Sequence, residues 1–412
     1  MSTIYIAGIA MTVFGRHLER SLDDLAREAL EGALKDANCS RKDLGVAFYA
    51  GMTNGPLQGQ ISIPGQVVFS KIGIEGIPVY NVENACASGS SAFNLAVQSL
   101  QAGTTDVALA LGAEKMNIPD KLKAFQVFEG GWDVSRVEEN YQNLVKMGEG
   151  VEIPEGSESD KPYSRFMAIY AAMCRYHMKT YGTTQRQIAA VSAKNHTHSV
   201  HNPFSQFRKP FTIDEILAAP PITYPITLPM CAPLSDGAAA AILCTEEGLK
   251  RIGADRNRCI KVSASVIRSF SHRRLDQPEL NIARLAADHA YDIAGLGPED
   301  IDVAEVHDAS AMGEIIQVEN LRLVELGMGG PAAERGDFTL GGRIPVNTSG
   351  GLESKGHPLG ATGIGQLCEL VTQLRGEAGK RQVKGARHGI QENGGGLQGI
   401  EEAAVAIHIL SK

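Results

Sequence analysis

Two stretches of the 412-residue chain, "ALEGALKDANCSRKDLGVAFYA" (29–50) and "AADHAYDIAGLGPEDIDVAEVH" (286–307), align without a gap. In each, an amphipathic helix leads through a short turn and an aspartate (Asp43, Asp300) into a strand, with Leu44 matching Ile301 and Val46 matching Val303. A second echo follows in the same order, as strand, glycine-rich turn and helix: "VYNVENACASGSSAF" first, then "IPVNTSGGLESKGHPLGATGIG". Strands and helices alternating at this spacing predict mainly parallel sheets with right-handed crossovers. Two echoes in one order predict a duplicated α/β unit packed on itself.

Residues 117–212 break this pattern. "NIPDKLKAFQVFEGGWDVS" and "GEGVEIPEGSESDKPYS" carry loop signals, and "RFMAIYAAMCRYHMKTYG" reads as a helix. An excursion of this length is expected to be an inserted loop domain, a kind of segment more often used as a binding lid than as scaffold. The expected division is therefore 1–116 with 213–256 for the N-terminal half, 117–212 for the insert, and 257–412 for the C-terminal half. Four aromatics of the insert, Phe125, Phe128, Trp132 and Tyr141, either line a roomy pocket or form a small core of their own.

Composition narrows the function classes. With 43% hydrophobic and 21% charged residues this is an ordinary globular chain, and its net charge of −8 argues against nucleic acid as the main partner. No apolar run reaches the roughly 18 residues of a membrane span. "MSTIYIAGIAMTVFGRH" lacks a basic stretch with a cleavage site, and "HILSK" is not the peroxisomal address, so a cytoplasmic location is expected. Seven cysteines, with no CxxC pair, favour a reducing compartment; none has zinc-finger spacing, and no metal site is expected.

One thiol is placed unlike the others. Cys86 stands at the mouth of a helix that opens with small residues (Ala87, Ser88, Gly89, Ser90, Ser91, Ala92), which allow close packing on all sides. A helix N-terminus offers unsatisfied N–H groups and the positive end of the dipole, which favour thiolate. Ligand sites of open α/β sheets lie beyond the C-terminal ends of strands. Equivalent loops of the two halves should therefore converge, and two of them carry histidine: "VHDASAM" with His307, and "ESKGHPLGATG", where Gly356 and Pro358 pin His357. A cysteine beside two histidines is a nucleophile with its acid/base. A further glycine-rich turn, "QENGGGLQG", is expected before the final strand and can present backbone N–H groups as an oxyanion hole.

At these residues the chain resembles the thiolases, most closely the sterol carrier protein type. "NVENACASGSSA" resembles the nucleophilic cysteine loop, and "ALALGAEKM", "CAPLSDGAAAAIL", "VHDAS" and "NTSGGLESKGHPLGATGIGQLCELVTQLRGEAGKRQV" resemble other family segments in the same order. The resemblance implies the five-layered αβαβα thiolase fold with the inserted loop domain, a homodimer core, and coenzyme A thioesters as substrates. It implies coenzyme A as co-substrate and no permanently bound cofactor. By the resemblance Cys86 accepts the acyl group and His357 activates the thiol and donates to the thioester oxygen. His307 completes that oxyanion hole, and the backbone N–H of Cys86 with that of Gly394 or Gly395 forms a second. Relatives of this branch work with a small zinc-ribbon and OB-fold protein, and such a partner is compatible with this chain.

The departures are informative. Thiolases carry a second cysteine that shuttles a proton at the α-carbon, but Ala309 stands in the "HD" loop and the last glycine turn has none. Glu392 is the nearest substitute by alignment, an ordered water the other, and a solvent-facing turn residue is the bland alternative for Glu392. The resulting reading is an acyl-CoA C-acyltransferase acting on 3-oxoacyl-CoA thioesters in lipid or aromatic catabolism. The alternatives are a C–C lyase of the same fold acting on a hydroxyacyl-CoA, and a non-catalytic acyl-CoA or lipid carrier.

Overall fold

The computed structural model describes residues 2–412. Its strands, in chain order, are β1 (Ile4–Met11), β2 (Val46–Ala50), β3 (Val79–Val82), β4 (Val107–Glu114), the short hairpin β5 (Pro221–Thr223) and β6 (Ile226–Thr227), then β7 (Gly237–Thr245), β8 (Ile260–Ser269), β9 (Val303–Glu305), β10 (His388–Gln398) and β11 (Glu401–Ser411). The main sheet runs β3-β2-β4-β7-β1-β8-β11-β10-β9.

The duplication is visible in that order. In the first half β3, β2 and β4 are parallel, while β7 and then β1 are antiparallel to their neighbours. In the second half β9 and β10 are parallel, and β11 and β8 follow antiparallel. The halves join where β1 meets β8 through Tyr5–Lys261 and Ile6–Ile260. The paired sequence stretches fold alike down to a local device: Asp43 accepts the Ser40 N–H at 2.8 Å, and Asp300 accepts the Gly297 N–H at 2.8 Å. Each aspartate closes the 3₁₀ turn that feeds its strand.

The layers follow from which faces are apolar. The Leu22–Asp36 helix, capped by Ser21 and Asp24, buries Leu25, Ala26, Ala29, Leu30 and Ala33 against β1 and β7. The Ile282–Ala294 helix does the same against β8 and β11. Between the two halves of this sheet, β3-β2-β4-β7-β1 and β8-β11-β10-β9, lie two helices buried over most of their lengths, Ser88–Gln101 (the cysteine helix) and Leu359–Arg375 (the histidine helix). These two cover β2 and β4 on one side and β9 and β10 on the other, giving the duplicated αβαβα arrangement that the resemblance implied.

Three expectations need correction. The main sheet is not mainly parallel: three of its strand pairs are parallel and five antiparallel, because β7, β1, β8 and β11 run against their neighbours. The second half's counterpart of β3 is reduced to a bridge between Ala304 and Val346. Pro345 has no N–H to donate, and Asn347 turns to φ +52 and gives its side-chain oxygen to the Val306 N–H. The glycine-rich segment Gly394–Gly396 is no turn; it lies inside β10, whose hairpin to β11 turns at Gly399. Gly395 serves there for close approach, since a Cβ on it would sit 2.1 Å from Asn84 O and 2.7 Å from Ala87 N, and Gly396 for its φ of +64.

The excursion after β4 returns to the sheet only at Gly237. Its long helices, Arg165–Tyr181 and Gln185–Ser199, pack on the C-terminal half, where Cys174, Ile188 and Val191 share a core with Ile315 and Val318. Its four aromatics divide. Phe125 and Phe128 line a cavity, whereas Trp132 stacks on Phe166 at 4.9 Å in a small cluster that includes Tyr141.

The middle layer gives a direct test of packing. A Cβ on Gly112 would lie 1.9 Å from Gly360 O, and backbone there cannot yield cheaply. Gly112→Ala is expected to cost about 3 kcal/mol or more and lower the thermal midpoint. Gly130→Ala, with open space around it, is the control expected to leave the midpoint unchanged. Equal midpoints for the two variants would contradict this account of the middle layer.

Candidate active site

The cysteine loop is built by a sharp reversal. After β3 the chain passes Ala85 at φ +48, a left-handed conformation that costs an L-residue about 1 kcal/mol or more. The turn is held by the Ala87 N–H on Asn84 O (2.9 Å) and the Asn84 N–H on Ser88 Oγ (2.9 Å). Cys86 is thereby lifted off the end of the strand, just before the cysteine helix, and onto the wall of a cavity.

His357 arrives from the other half by the equivalent route, just before the histidine helix. Its backbone N–H is held by Ser235 Oγ at 2.9 Å, and the loop ahead of it is pinned by Asp308, which accepts the Leu352 N–H at 2.7 Å. His307 follows β9, with its backbone N–H on Glu392 Oε2 at 2.9 Å. Cys86 Sγ and one ring nitrogen from each histidine all lie within 4.8 Å of one another. Among the described residues this is the one Cys/His/Asp/Glu cluster close enough to gather a metal ion.

The outer nitrogens of the two rings fix opposite tautomers. His357 Nδ1 is 2.7 Å from Thr362 Oγ1, whose single hydrogen goes to Pro358 O at 3.0 Å. With that hydrogen on Pro358 O, Thr362 accepts, which assigns the proton to Nδ1 and leaves Nε2 a free base. His307 Nδ1 is 3.0 Å from Asn393 Nδ2, an N–H donor. The amide is oriented by Ser90, whose hydroxyl donates to Asn393 Oδ1 at 2.8 Å while accepting from Gln391 Nε2 at 2.8 Å. His307 therefore accepts at Nδ1 and presents Nε2–H. One ring can take a proton from a thiol, and the other can donate to a developing oxyanion.

Burial favours the neutral form of all three groups. Burial pushes the Cys86 thiol up to about 12, with Glu114 adding repulsion. Burial holds His307 down to about 4, and burial with the neighbouring His307 holds His357 well below its usual range. Desolvation favours the thiol, opposing the helix N-terminus that favours thiolate.

Gly394 and Gly395 line the same cavity as Cys86, His307 and His357. Glu392 does not share that wall: it is fully buried, behind the His307 backbone, with its carboxyl raised well above the usual range by burial and then by Glu402. It is neither a solvent-facing turn residue nor beside the thiol's open face. Thr362, Asn393 and Ser90, which set the histidine tautomers, carried no signal in the sequence beyond lying near the motifs. Glu114 likewise sits in a quoted motif, and its buried carboxylate accepts the Gly360 N–H at 3.2 Å at the start of the histidine helix.

Comparison with known proteins agrees with this architecture. Residues 4–219 match the thiolase N-terminal domain and residues 264–411 the thiolase C-terminal domain-like family. The chain is 37% identical to an acetyl-CoA acetyltransferase of Methanothermobacter thermautotrophicus, over the full length of both. It is 36% identical to sterol carrier protein 2 of Rattus norvegicus, covering 95% of this chain and 69% of that one. It is 32% identical to benzoylsuccinyl-CoA thiolase subunit BbsB of Thauera aromatica, covering 92% and 91%. A solved Ltp2-ChsH2(DUF35) aldolase shares the fold with a TM-score of 0.74 at 20% identity, covering 99% of this chain and 97% of that one.

A neutral resting thiol has a kinetic signature. Alkylation of Cys86 by iodoacetamide, followed by peptide mass, should be slow at pH 7 and keep rising to pH 10 without a plateau, because the thiol titrates near 12. A plateau below pH 8 would show a preformed thiolate and contradict the neutral pair.

Proposed function

This chain belongs to the thiolase family, and we propose that it moves an acyl group between a 3-oxoacyl-CoA and coenzyme A through Cys86. The observation that carries this reading is the thiol with two neutral histidines of opposite tautomer, all within 4.8 Å on one cavity wall. In the degradative direction His357 Nε2 takes the Cys86 proton as sulfur attacks the 3-oxo carbon. The C2–C3 bond then breaks, and its electron pair passes into the thioester enolate, stabilised by His307 Nε2–H. The α-carbon takes up a proton, and coenzyme A, giving up its own proton, displaces the acyl group from Cys86. Sulfur leaves as thiolate and recovers its proton from His357. Backbone N–H groups of Cys86 and of Gly394 or Gly395 complete the second oxyanion hole.

The cavity supports an apolar acyl group of some bulk. It encloses about 790 Å³ and is walled by Met52, Phe125, Phe128, Met147, Phe166 and Met173, within the range of small-molecule sites. Coenzyme A is a co-substrate, and the chemistry calls for no resident cofactor. A homodimer core and a small zinc-ribbon and OB-fold partner belong to the proposal. The partner is supported by the likeness to a named thiolase subunit and to the fold of an aldolase solved with a DUF35 protein. No described helix is long and apolar enough to cross a membrane. Seven free cysteines fit a reducing compartment such as the cytoplasm.

Acyl-enzyme trapping separates the readings. With acetoacetyl-CoA or a bulkier 3-oxoacyl-CoA, intact mass should show an acyl adduct lost in Cys86→Ala, and turnover should vanish with it. His307→Ala should slow carbon–carbon cleavage by roughly a hundredfold while leaving Cys86 able to exchange acyl groups. Turnover surviving Cys86→Ala would instead mean a lyase, and binding with no adduct or turnover a carrier.

A further inference from the structure

The α-carbon needs an acid/base, and the usual cysteine positions hold Ala309, whose methyl group lines the cavity, and Glu392, which faces the back of His307. Neither can serve from where it stands. Another carboxylate does stand on the cavity wall. Glu402, on β11 opposite Leu397, lines the same cavity as Cys86, His307 and His357.

Its position is built rather than incidental. An ideal Cβ on Gly394 would meet Glu402 Cγ at 2.7 Å and Oε1 at 3.4 Å, so the side chain lies flat on the glycine proposed for the oxyanion hole. Gln317 Nε2 donates to Oε1 at 2.7 Å, and Gln317 is itself held by Asn320 at 3.0 Å. The preceding residue, Glu401, takes the ion pair with Arg273 at 2.7 Å and turns away from this role. Among the described residues Glu402 has no salt-bridge partner, and burial raises its carboxyl above the ordinary range. Tyr170 lines the same wall, its phenol held un-ionised by burial and then by Glu402.

We propose that Glu402 is the catalytic acid/base that exchanges the α-carbon proton in place of the missing cysteine. The inference rests on the acyl-transfer reading above. The protonated Glu402 carboxyl gives its proton to the enolate carbon as the C2–C3 electron pair is released. The resulting carboxylate takes a proton back from solvent, and coenzyme A gives its thiol proton to solvent as its sulfur attacks the Cys86 thioester. Each turnover returns Glu402 to its starting state.

The test separates two half-reactions on the full-length chain. Deuterium incorporation into the methyl group of acetyl-CoA in D₂O reports α-proton exchange, and intact mass after acetyl-CoA reports Cys86 acylation. Glu402→Gln should lower exchange by about a hundredfold or more. Acetyl transfer from acetyl-CoA onto Cys86 should stay within a few-fold, and Glu402→Asp should recover part of the exchange. Glu392→Gln should retain exchange. Wild-type exchange in Glu402→Gln would overturn the assignment, as would equal loss of exchange and acyl transfer in Glu402→Gln with no recovery by aspartate. Should the glutamine variant fail to fold, Glu402→Asp decides: slowed exchange with intact acylation supports the assignment, and unchanged exchange overturns it. A wild-type chain that never acylates Cys86 contradicts the acyl-transfer reading itself, a separate result.

Discussion

The fold turns on a backbone-to-backbone contact between the two helices of the middle layer. A Cβ on Gly89 would sit 2.6 Å from Gly360 O, and one on Gly363 would sit 2.1 Å from Ser90 Oγ. Only glycine lets the cysteine and histidine helices meet this closely, and helix backbones in contact fix each other's axes far more tightly than interleaved side chains would. Because each helix follows an equivalent loop of a duplicated half, fixing the axes also fixes where Cys86 and His357 stand. The same demand continues into β10, where Gly394 makes room for Glu402 and Gly395 lies on the Cys86 loop. The small-residue run after Cys86 is therefore a geometric requirement of the site.

Around this neutral centre the protein keeps its charges paired and pointed elsewhere. Lys355 meets Glu305 at 3.3 Å, Lys194 meets Glu314 at 2.7 Å, and Arg381 meets Glu369 at 2.7 Å, all buried behind the histidine loops. Glu305 also binds the Ser349 N–H and hydroxyl, so the network anchors the segment that carries His357. Such pairs add little net stability, but removing one partner strands a charge, which makes the loop rigid. Inside the cavity the reacting groups are left uncharged, and charge develops only as a substrate oxygen or α-carbon arrives to receive it.

Much of this was legible in the residues. The gapless echo between 29–50 and 286–307 foretold the doubled sheet, and the placement of Cys86, His307 and His357 after strands foretold that they meet. The glycine run of β10 read as a turn because a single sequence shows that glycine is required, not whether the reason is a positive φ or a close approach. The helix N-terminus that favours a thiolate is legible in the residues, whereas the burial that opposes it is a property of the assembled layers. Asn393, Thr362 and Glu402 were invisible for a related reason. Their roles depend on which atom faces which ring or cavity, and Glu402 is separated from Gly394 by a hairpin that motif reading does not cross.

At the centre of the account are two histidines held in opposite tautomers by Thr362 and Asn393. Nitrogen NMR of the protein labelled with ¹⁵N-histidine, with the two residues assigned by substitution, reads those tautomers directly at neutral pH. The account predicts His357 protonated at Nδ1 with a bare Nε2, and His307 protonated at Nε2 with a bare Nδ1. The same tautomer at both residues, or a doubly protonated ring at either, would contradict it.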